Sequence, residues 1–412
     1  MATTKVWPRK KLSAVCESIV DCVNKTAPTV EDVTPFRMIR TTNVKNGRID
    51  LSSVKYVTRE TFEHWTRRQT LKTGDVILTR EAPLGEVGLV RESDGLFLGQ
   101  RLVCYRANPR VLDGRFLLYS MQAGDMQSQI KALGSGSTVE HMRVPDAENL
   151  EIALPDLPIQ QRIGTILSAY DDLLENNLKR IKALEEMARL IYGEWFVRFR
   201  FPGRKNVKYI RSELGEIPPG WVVKSVKDVA EVIYGYPFDS SKFNVIGNGT
   251  PLVRIRDIPK EYSETFTEQT CDRKFHIKDG EILVGMDGDF HMCIWSGGHA
   301  YQNQRVARFV PHKNMGQLFL FFALETPIQS LNKAIIGTTV AHLGDAHIKT
   351  IKILCPSDDV LAKANSILEP IAREIMNLRC RSRNLRITRD LLLPPLISGK
   401  ITFGQMEKPA ES

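Results

Sequence analysis

The chain repeats itself, and a repeat on this scale leaves few folds open to it. Trp7 matches Trp221 at an offset of 214 residues, and the same offset pairs Lys10 with Lys224, Val15 with Val229, Glu17 with Glu231, Ile19 with Ile233 and Arg40 with Arg254. The offset then shrinks in one direction as small deletions accumulate. Lys72 to Leu78 answers Lys278 to Val284, Gln100-Arg101 answers Gln304-Arg305, and Phe116 to Tyr119 answers Phe319 to Phe322. Gly136 to His141 answers Gly337 to His342, and Pro155 answers Pro356. Ordered matches with a drifting offset mean two copies of one domain in tandem, each within the usual domain size.

Inside each copy, short apolar runs such as Val76 to Leu78 and Ile282 to Val284 stand between Gly- and Pro-containing turns and predict strands. Helices are predicted around Phe116 to Gln122 and Phe319 to Leu324. The class is α+β, two tandem mixed α/β domains. After each copy comes a long proline-poor segment with apolar residues at threes and fours. The first opens at Asp156 and Pro158, suited to a helix cap and first turn, and is predicted helical from Ile159 to about Phe196. Ile163, Ile166, Tyr170, Leu173, Leu184 and Ile191 lie along its seam. The second carries Leu368, Ile375, Leu378 and Leu385, with Pro394-Pro395 expected to end it.

A seam of this spacing packs along another helix. About 38 residues at ~1.5 Å each make a rod of nearly 60 Å, longer than a domain of this size is wide. The expected layout is a first domain over 1–155, a helix over 156–200, a second domain over 201–356, a helix over 357–400 and a tail over 401–412. The two helices are expected antiparallel, in a coiled-coil-like spacer related by a pseudo-twofold axis. Two domains held apart in this way make a caliper.

Charge gives the caliper an object. Lys plus Arg number 57 against 48 Asp plus Glu, a net charge of +9 that favours a polyanion. Two similar but diverged domains at a fixed separation suit double-stranded DNA with two different half-sites. Candidate contacts are Arg, Gln, Asn, Thr and His in loops, which bond to phosphates or base edges. In the first copy these are Arg40, Thr41, Asn43, Arg67, Arg68, Arg80, Gln100, Arg101, Ser137, Thr138, His141 and Arg143. In the second they are Arg254, Arg256, Gln302, Asn303, Gln304, Arg305, Thr338, Thr339 and His342. Residues shared by the copies fit phosphates or simply the fold; those that differ fit base reading. Arg379, Arg381, Arg383, Arg386 and Arg389, with Arg198, Arg200, Arg204 and Lys205, form either a solvated face, a flank for DNA, or a surface for an acidic partner.

The residues of the first long segment also carry a family resemblance. Leu154 to Ile163, then Asp171 to Leu174, Leu184-Glu185 and Trp195-Phe196, resemble the central helix of specificity subunits of type I restriction-modification systems. Leu214 to Trp221 is similar to that family's opening of a second target-recognition domain, and Leu391 to Ile401 to its ending. The second helix departs from the pattern, with Asp358 to Leu361 where the first has Gln160-Gln161-Arg162. The resemblance implies a DNA-reading chain whose helices dock two modification subunits. Those subunits would use S-adenosylmethionine to methylate adenine, and the resemblance admits a translocating restriction subunit as a further partner.

Chemistry within the chain finds little support. Gly399-Lys400-Ile401 does not make a nucleotide loop, and Asn108-Pro109-Arg110 falls short of an adenine methyltransferase motif. His291, Cys293 and His299 lack the spacing of a zinc module, and His342, Asp345 and His347 have no nucleophile beside them. No catalytic residue, metal or cofactor is therefore expected in this chain. The scattered cysteines, at 16, 22, 104, 271, 293, 355 and 380, and the lack of a signal or spanning segment point to a cytoplasmic protein away from membranes. The rival readings are an enzyme fused to its own reader, for which the repeat leaves no room, and a helical scaffold that binds protein but not DNA.

Overall fold

The computed structural model describes residues 7–134, 140–204, 208–335 and 342–401. The chain divides into two compact units, Met1–Leu173 with Leu385–Ser412, and Leu174–Asn384.

In the first unit an antiparallel sheet runs in the order Cys16–Asp21, Leu102–Ala107, Val76–Arg80, Leu84–Leu89. Beside it Arg37–Ile39 pairs in parallel with Leu96–Leu98 and antiparallel with Lys55–Tyr56. Arg9–Lys11 pairs with Glu151–Ala153, so the unit's first strand closes onto the one that precedes the first long helix. The second unit repeats each feature. Its sheet runs Ala230–Tyr234, Val306–Pro311, Ile282–Gly285, Met292–Ile294. Thr250–Val253 pairs in parallel with Ala300–Gln302, and Val222–Ser225 pairs with Lys352–Cys355. The matched residues of the sequence therefore sit at matched places: Trp7 and Trp221 are both buried. The middle strands, buried along both faces, are read in the sequence as unbroken aliphatic runs.

The first long helix spans Leu157–Tyr192 and continues as a wider turn over Gly193–Val197. Gln160 does not face outward in it. The side chain is fully buried, its amide donating to the carbonyls of Val111 (2.9 Å) and Pro155 (2.7 Å) while its oxygen accepts from the Asp113 N–H (3.0 Å). Asp113 in turn caps the helix Gly114–Gln122 through the N–H groups of Arg115 and Phe116. One glutamine thus fastens the long helix to the start of the domain's own helix. The second long helix, lacking that glutamine, makes a similar tie with Asn365 donating to the Asn314 carbonyl (2.9 Å) and Glu369 accepting from the Gln317 N–H (3.2 Å).

The second long helix spans Asp358–Ile397, and here the structure corrects the sequence reading: Pro394-Pro395 does not end it. The prolines remove two N–H donors that would face the carbonyls of Asp390 and Leu391, on an exposed stretch of the helix. Burial of Leu396 and Ile397 in the first unit's core outweighs that loss, and the helix stops only at Ser398 and Gly399, whose φ of +69° suits glycine.

Both helices supply core to both units. Ile163 and Leu167 join Leu396 and Ile397 against Phe116, Leu117 and Ile130 in the first unit. Ile181 and Ala188 join Leu361, Ala364, Leu368, Ile375 and Leu378 against Phe319 and Phe309 in the second. Within each unit the two segments run antiparallel: Asp171 meets Arg389 in the first, while Asn177 meets Ser382 and Glu185 meets Arg379 in the second. The seam expected to meet a partner is therefore largely used inside the chain. Ile163, Leu368, Ile375 and Leu378 are buried, Ile166, Leu184 and Ile191 pack half-buried against the cores, and Tyr170 and Leu385 are also half-buried. Of the expected docking residues, only Leu173 is exposed.

Replacing Leu396 with Ala should destabilise the first unit by roughly 2–5 kcal/mol. In hydrogen exchange the loss of protection should appear at Phe116 to Met121 and leave Phe319 to Leu324 unchanged. Equal loss in both would show that the helix end does not belong to the first core.

Candidate nucleic-acid interface

In each unit three loops are drawn to one end by backbone bonds that repeat between the copies. In the first, the Gly99 N–H donates to the Ile39 carbonyl (2.7 Å), which brings Gln100-Arg101 beside Arg40-Thr41. Arg80 N–H donates to the Arg101 carbonyl (2.8 Å) and Met142 N–H to the Arg80 carbonyl (2.9 Å). In the second, Asn303 N–H donates to Val253 (3.1 Å), Met286 to Arg305 (2.9 Å) and Leu343 to Met286 (2.7 Å). A glycine is required at position 99, because a Cβ there would lie 2.6 Å from the Ile39 oxygen.

Each of these ends begins with a single 3-10 turn, Thr41–Asn43 or Ile255–Asp257. The turn is closed by its third side chain: Asn43 accepts from the Arg40 N–H and Asp257 from the Arg254 N–H, both at 2.9 Å. Asn43 also donates to the Asp50 carbonyl (3.0 Å) and the Ser53 hydroxyl (2.9 Å). Burial holds the Asp257 carboxyl above its ordinary range, against the opposing pull of the Arg254 N–H and guanidinium.

The expected contact residues fall into distinct groups. Arg101, Arg143, Arg256, Gln304, Arg305 and His141 are exposed at these ends, and His342 is half-exposed. Arg80 is half-buried and donates to the Met142 carbonyl (3.0 Å); Gln100 accepts from the Thr26 hydroxyl (3.1 Å). Arg40 donates to the Ser53 carbonyl (2.8 Å), Arg254 bonds to the Thr265 hydroxyl, and Thr41 is half-buried. Arg68 pairs with Asp21 (2.6 Å), Arg143 with Asp146 (2.9 Å), and Arg67 folds back onto His64. Asn43 and Gln302 do not reach the surface. Gln302 gives both amide hydrogens to the carbonyls of Ile233 and Val306, each at 2.8 Å, so these two side chains hold the fold. Asn303 is nearly buried. Ser137, Thr138, Thr338 and Thr339 lie outside the described residues.

In the second unit the loops frame an open concavity lined by Tyr234, Gln304, Arg305, His342 and Asp345. Hydrogen bonds from Lys227 (2.8 Å), Lys349 and Tyr234 (2.7 Å) hold the Asp345 carboxyl well below the usual carboxylate range. His342 lies at this surface, and Asp345 and His347 belong to the short helix Asp345–Thr350. Among the described residues no three His, Cys, Asp or Glu side chains are grouped to hold a metal ion, and no helix is long and apolar enough to cross a membrane.

The arginines of the long helices are mostly paired. Arg389 bonds to Asp171 (2.5 Å), whose other oxygen accepts from the Tyr119 hydroxyl (2.6 Å) and whose backbone carbonyl accepts from Arg48 (2.5 Å). Arg379 bonds to Glu185 (2.6 Å) and to Glu261 (2.7 Å), and Arg383 to Asp279. Arg48 and Glu261 lie just after the two 3-10 turns, so in the second unit Arg379 ties both helices to that loop, while in the first Asp171 does so, meeting Arg389 with its carboxylate and Arg48 with its carbonyl. Arg198 and Arg200 pair with Glu194, Arg204 bonds to Tyr209, Arg381 and Arg386 are exposed, and Lys205 lies outside the described residues. Sequence reading placed Asp171 in the resembling helix without giving it a role, and missed Glu261, Glu81 and Asp287; only alignment of the copies pairs the last two.

Comparison with known proteins follows the same division. Residues 6–186 and 218–381 match a family model described as a type I restriction modification DNA specificity domain. The specificity subunit of the type I restriction enzyme MjaIX of Methanocaldococcus jannaschii is 25% identical over 352 residues, covering 81% of this chain and 79% of the relative. That of HindI from Haemophilus influenzae is 20% identical over 409 residues, 81% of this chain and 88% of the relative. The crystal structure of a type I restriction-modification S subunit from M. genitalium shares the fold with a TM-score of 0.60, at 16% identity over 96% of this chain and 97% of that one.

Replacing Asp171 with Ala removes the carboxylate that both Arg389 and the Tyr119 hydroxyl bond to, leaves Arg389 only its exposed neighbour Asp390, and should cost roughly 2–3 kcal/mol. Tyr119→Phe should cost only about 1 kcal/mol. Chemical denaturation of the two variants checks the order; equal losses would mean the ion pair contributes no more than the phenol's bond.

Proposed function

This chain belongs to the type I restriction modification DNA specificity family, and from that premise we propose that each unit reads one half of a split, asymmetric DNA site. The observation that carries this is the repeated three-loop end. Both units present an arginine, a glutamine and a histidine on the same backbone scaffold, Arg101, Gln100 and His141 in one and Arg305, Gln304 and His342 in the other. Arg and Gln are the side chains that bond to guanine, adenine and phosphate in a groove. Around this shared frame the residues diverge, which is what two different half-sites require.

The chain supplies recognition, and the methyl transfer belongs to modification subunits that carry S-adenosylmethionine. Their dock is the outer face of the long helices, where Leu173, Leu178, Met187, Leu190, Ile387 and Leu391 stay exposed after both cores are filled. An exposed aliphatic series on two helices is suited to further helices. One modification subunit per unit gives the complex two. In this reading the long helices set the number of base pairs between the half-sites.

Selection of bound duplexes from a random pool, with the chain and its modification subunits, should return two unlike half-sites around an indifferent spacer. Binding without sequence preference would instead favour a protein scaffold. Lengthening both helices by about one turn, ~5.4 Å, should lengthen the tolerated spacer and leave the half-sites unchanged. A spacer that stays the same would remove the helices from the measuring role.

A further inference from the structure

Each unit places a carboxylate in the middle of its basic loop end. Glu81 follows the strand Val76–Arg80 and Asp287 follows Ile282–Gly285, and each forms a backbone bridge to a histidine, Glu81 to His141 and Asp287 to His342. Arg101 Nε lies 3.4 Å from Glu81 Oε2, and Arg305 Nε lies 3.4 Å from Asp287 Oδ2; both arginine side chains are 51% exposed. In the second unit His342 Nδ1 donates to Asp287 Oδ1 at 2.7 Å, a better bond than its 3.3 Å approach to Arg305.

What surrounds this constellation is not shared. Arg80 stands where the second unit has Met286, Val20 where it has Tyr234, and Val144 where it has Asp345. A group kept by two domains that otherwise diverge serves something common to both half-sites. Base edges differ between them, and the sugar-phosphate backbone does not.

We propose that each unit carries one sequence-independent phosphate anchor, Arg101 in the first and Arg305 in the second, set in place by Glu81 and Asp287 as positioning residues. The proposal rests on the two units being DNA readers. A guanidinium has five N–H donors. The carboxylate, ion-paired near Nε, holds the guanidinium in place, which leaves terminal N–H groups for a phosphate oxygen at less cost than ordering a free side chain. The histidine bridge fixes the carboxylate. An acid so close to DNA would otherwise only repel it, and this makes the sign of its removal diagnostic.

The test uses the full chain assembled with its modification subunits, on the duplex that the wild-type complex selects, with affinity measured across salt concentrations. R101A and R305A should each weaken binding roughly tenfold or more. Each should also make the slope of log affinity against log salt shallower by about 0.9, with the selected bases unchanged. E81Q and D287N should also weaken binding although they remove negative charge, and each should add nothing to the loss of its own arginine in a double variant. D287E should retain binding, since the first unit uses the longer acid. Tighter binding by E81Q or D287N, an unchanged salt slope in the arginine variants, or a changed base preference would each overturn the anchor while leaving the DNA-reading function standing. A wild-type complex that selects no split site would instead overturn that function itself.

Discussion

The apolar faces of the two long helices are the constraint from which the rest follows. Neither recognition portion closes its own core. Leu396 and Ile397 complete the first and Leu361 to Leu378 the second, with Ile163, Leu167, Ile181 and Ala188 from the other helix. Fully burying each leucine or isoleucine among them is worth roughly 1.5–3 kcal/mol, so the helices are structural parts of both units before they are anything to a partner. This explains why the exposed aliphatics lie on the remaining faces, and why the second helix runs through two prolines to reach its last buried turn.

Upon this apolar frame partly buried ion pairs set orientation. Arg389 with Asp171, and Arg379 with Glu185 and Glu261, each bind one helix to the other and to the segment just after a recognition turn. Pairs of this kind contribute modestly to stability. Their effect is to fix, within each unit, where the loops stand relative to the helix pair.

Much of this was legible in the sequence, and the rest failed for identifiable reasons. The repeat was visible because buried positions such as Trp7 and Trp221 answer to the same packing in both copies. The spacing of threes and fours gave the helices, though not their end, since tertiary burial at Leu396 overrode the local signal of Pro394-Pro395. The same spacing does not say whose surface a seam meets, and here it meets the chain's own domains. Loop polarity gave Arg101, Gln304 and Arg305 but also Asn43 and Gln302, whose amides close a turn and a sheet end. Glu81 and Asp287 carry the wrong sign for a polyanion surface, so composition alone would pass over them.

The closure of the first core by residues 385–397 has a consequence for how the molecule is made. Translation delivers the first recognition portion early, yet the turns that cover its apolar side emerge only after the whole second unit. Until then the nascent first domain exposes the surface that Leu392, Leu393, Leu396 and Ile397 will occupy, a state open to chaperones, to misassociation or to the same segment of a neighbouring chain. Folding of the front of the protein therefore waits on its back, and a chain broken off after the second unit would keep one finished reader and one unfinished.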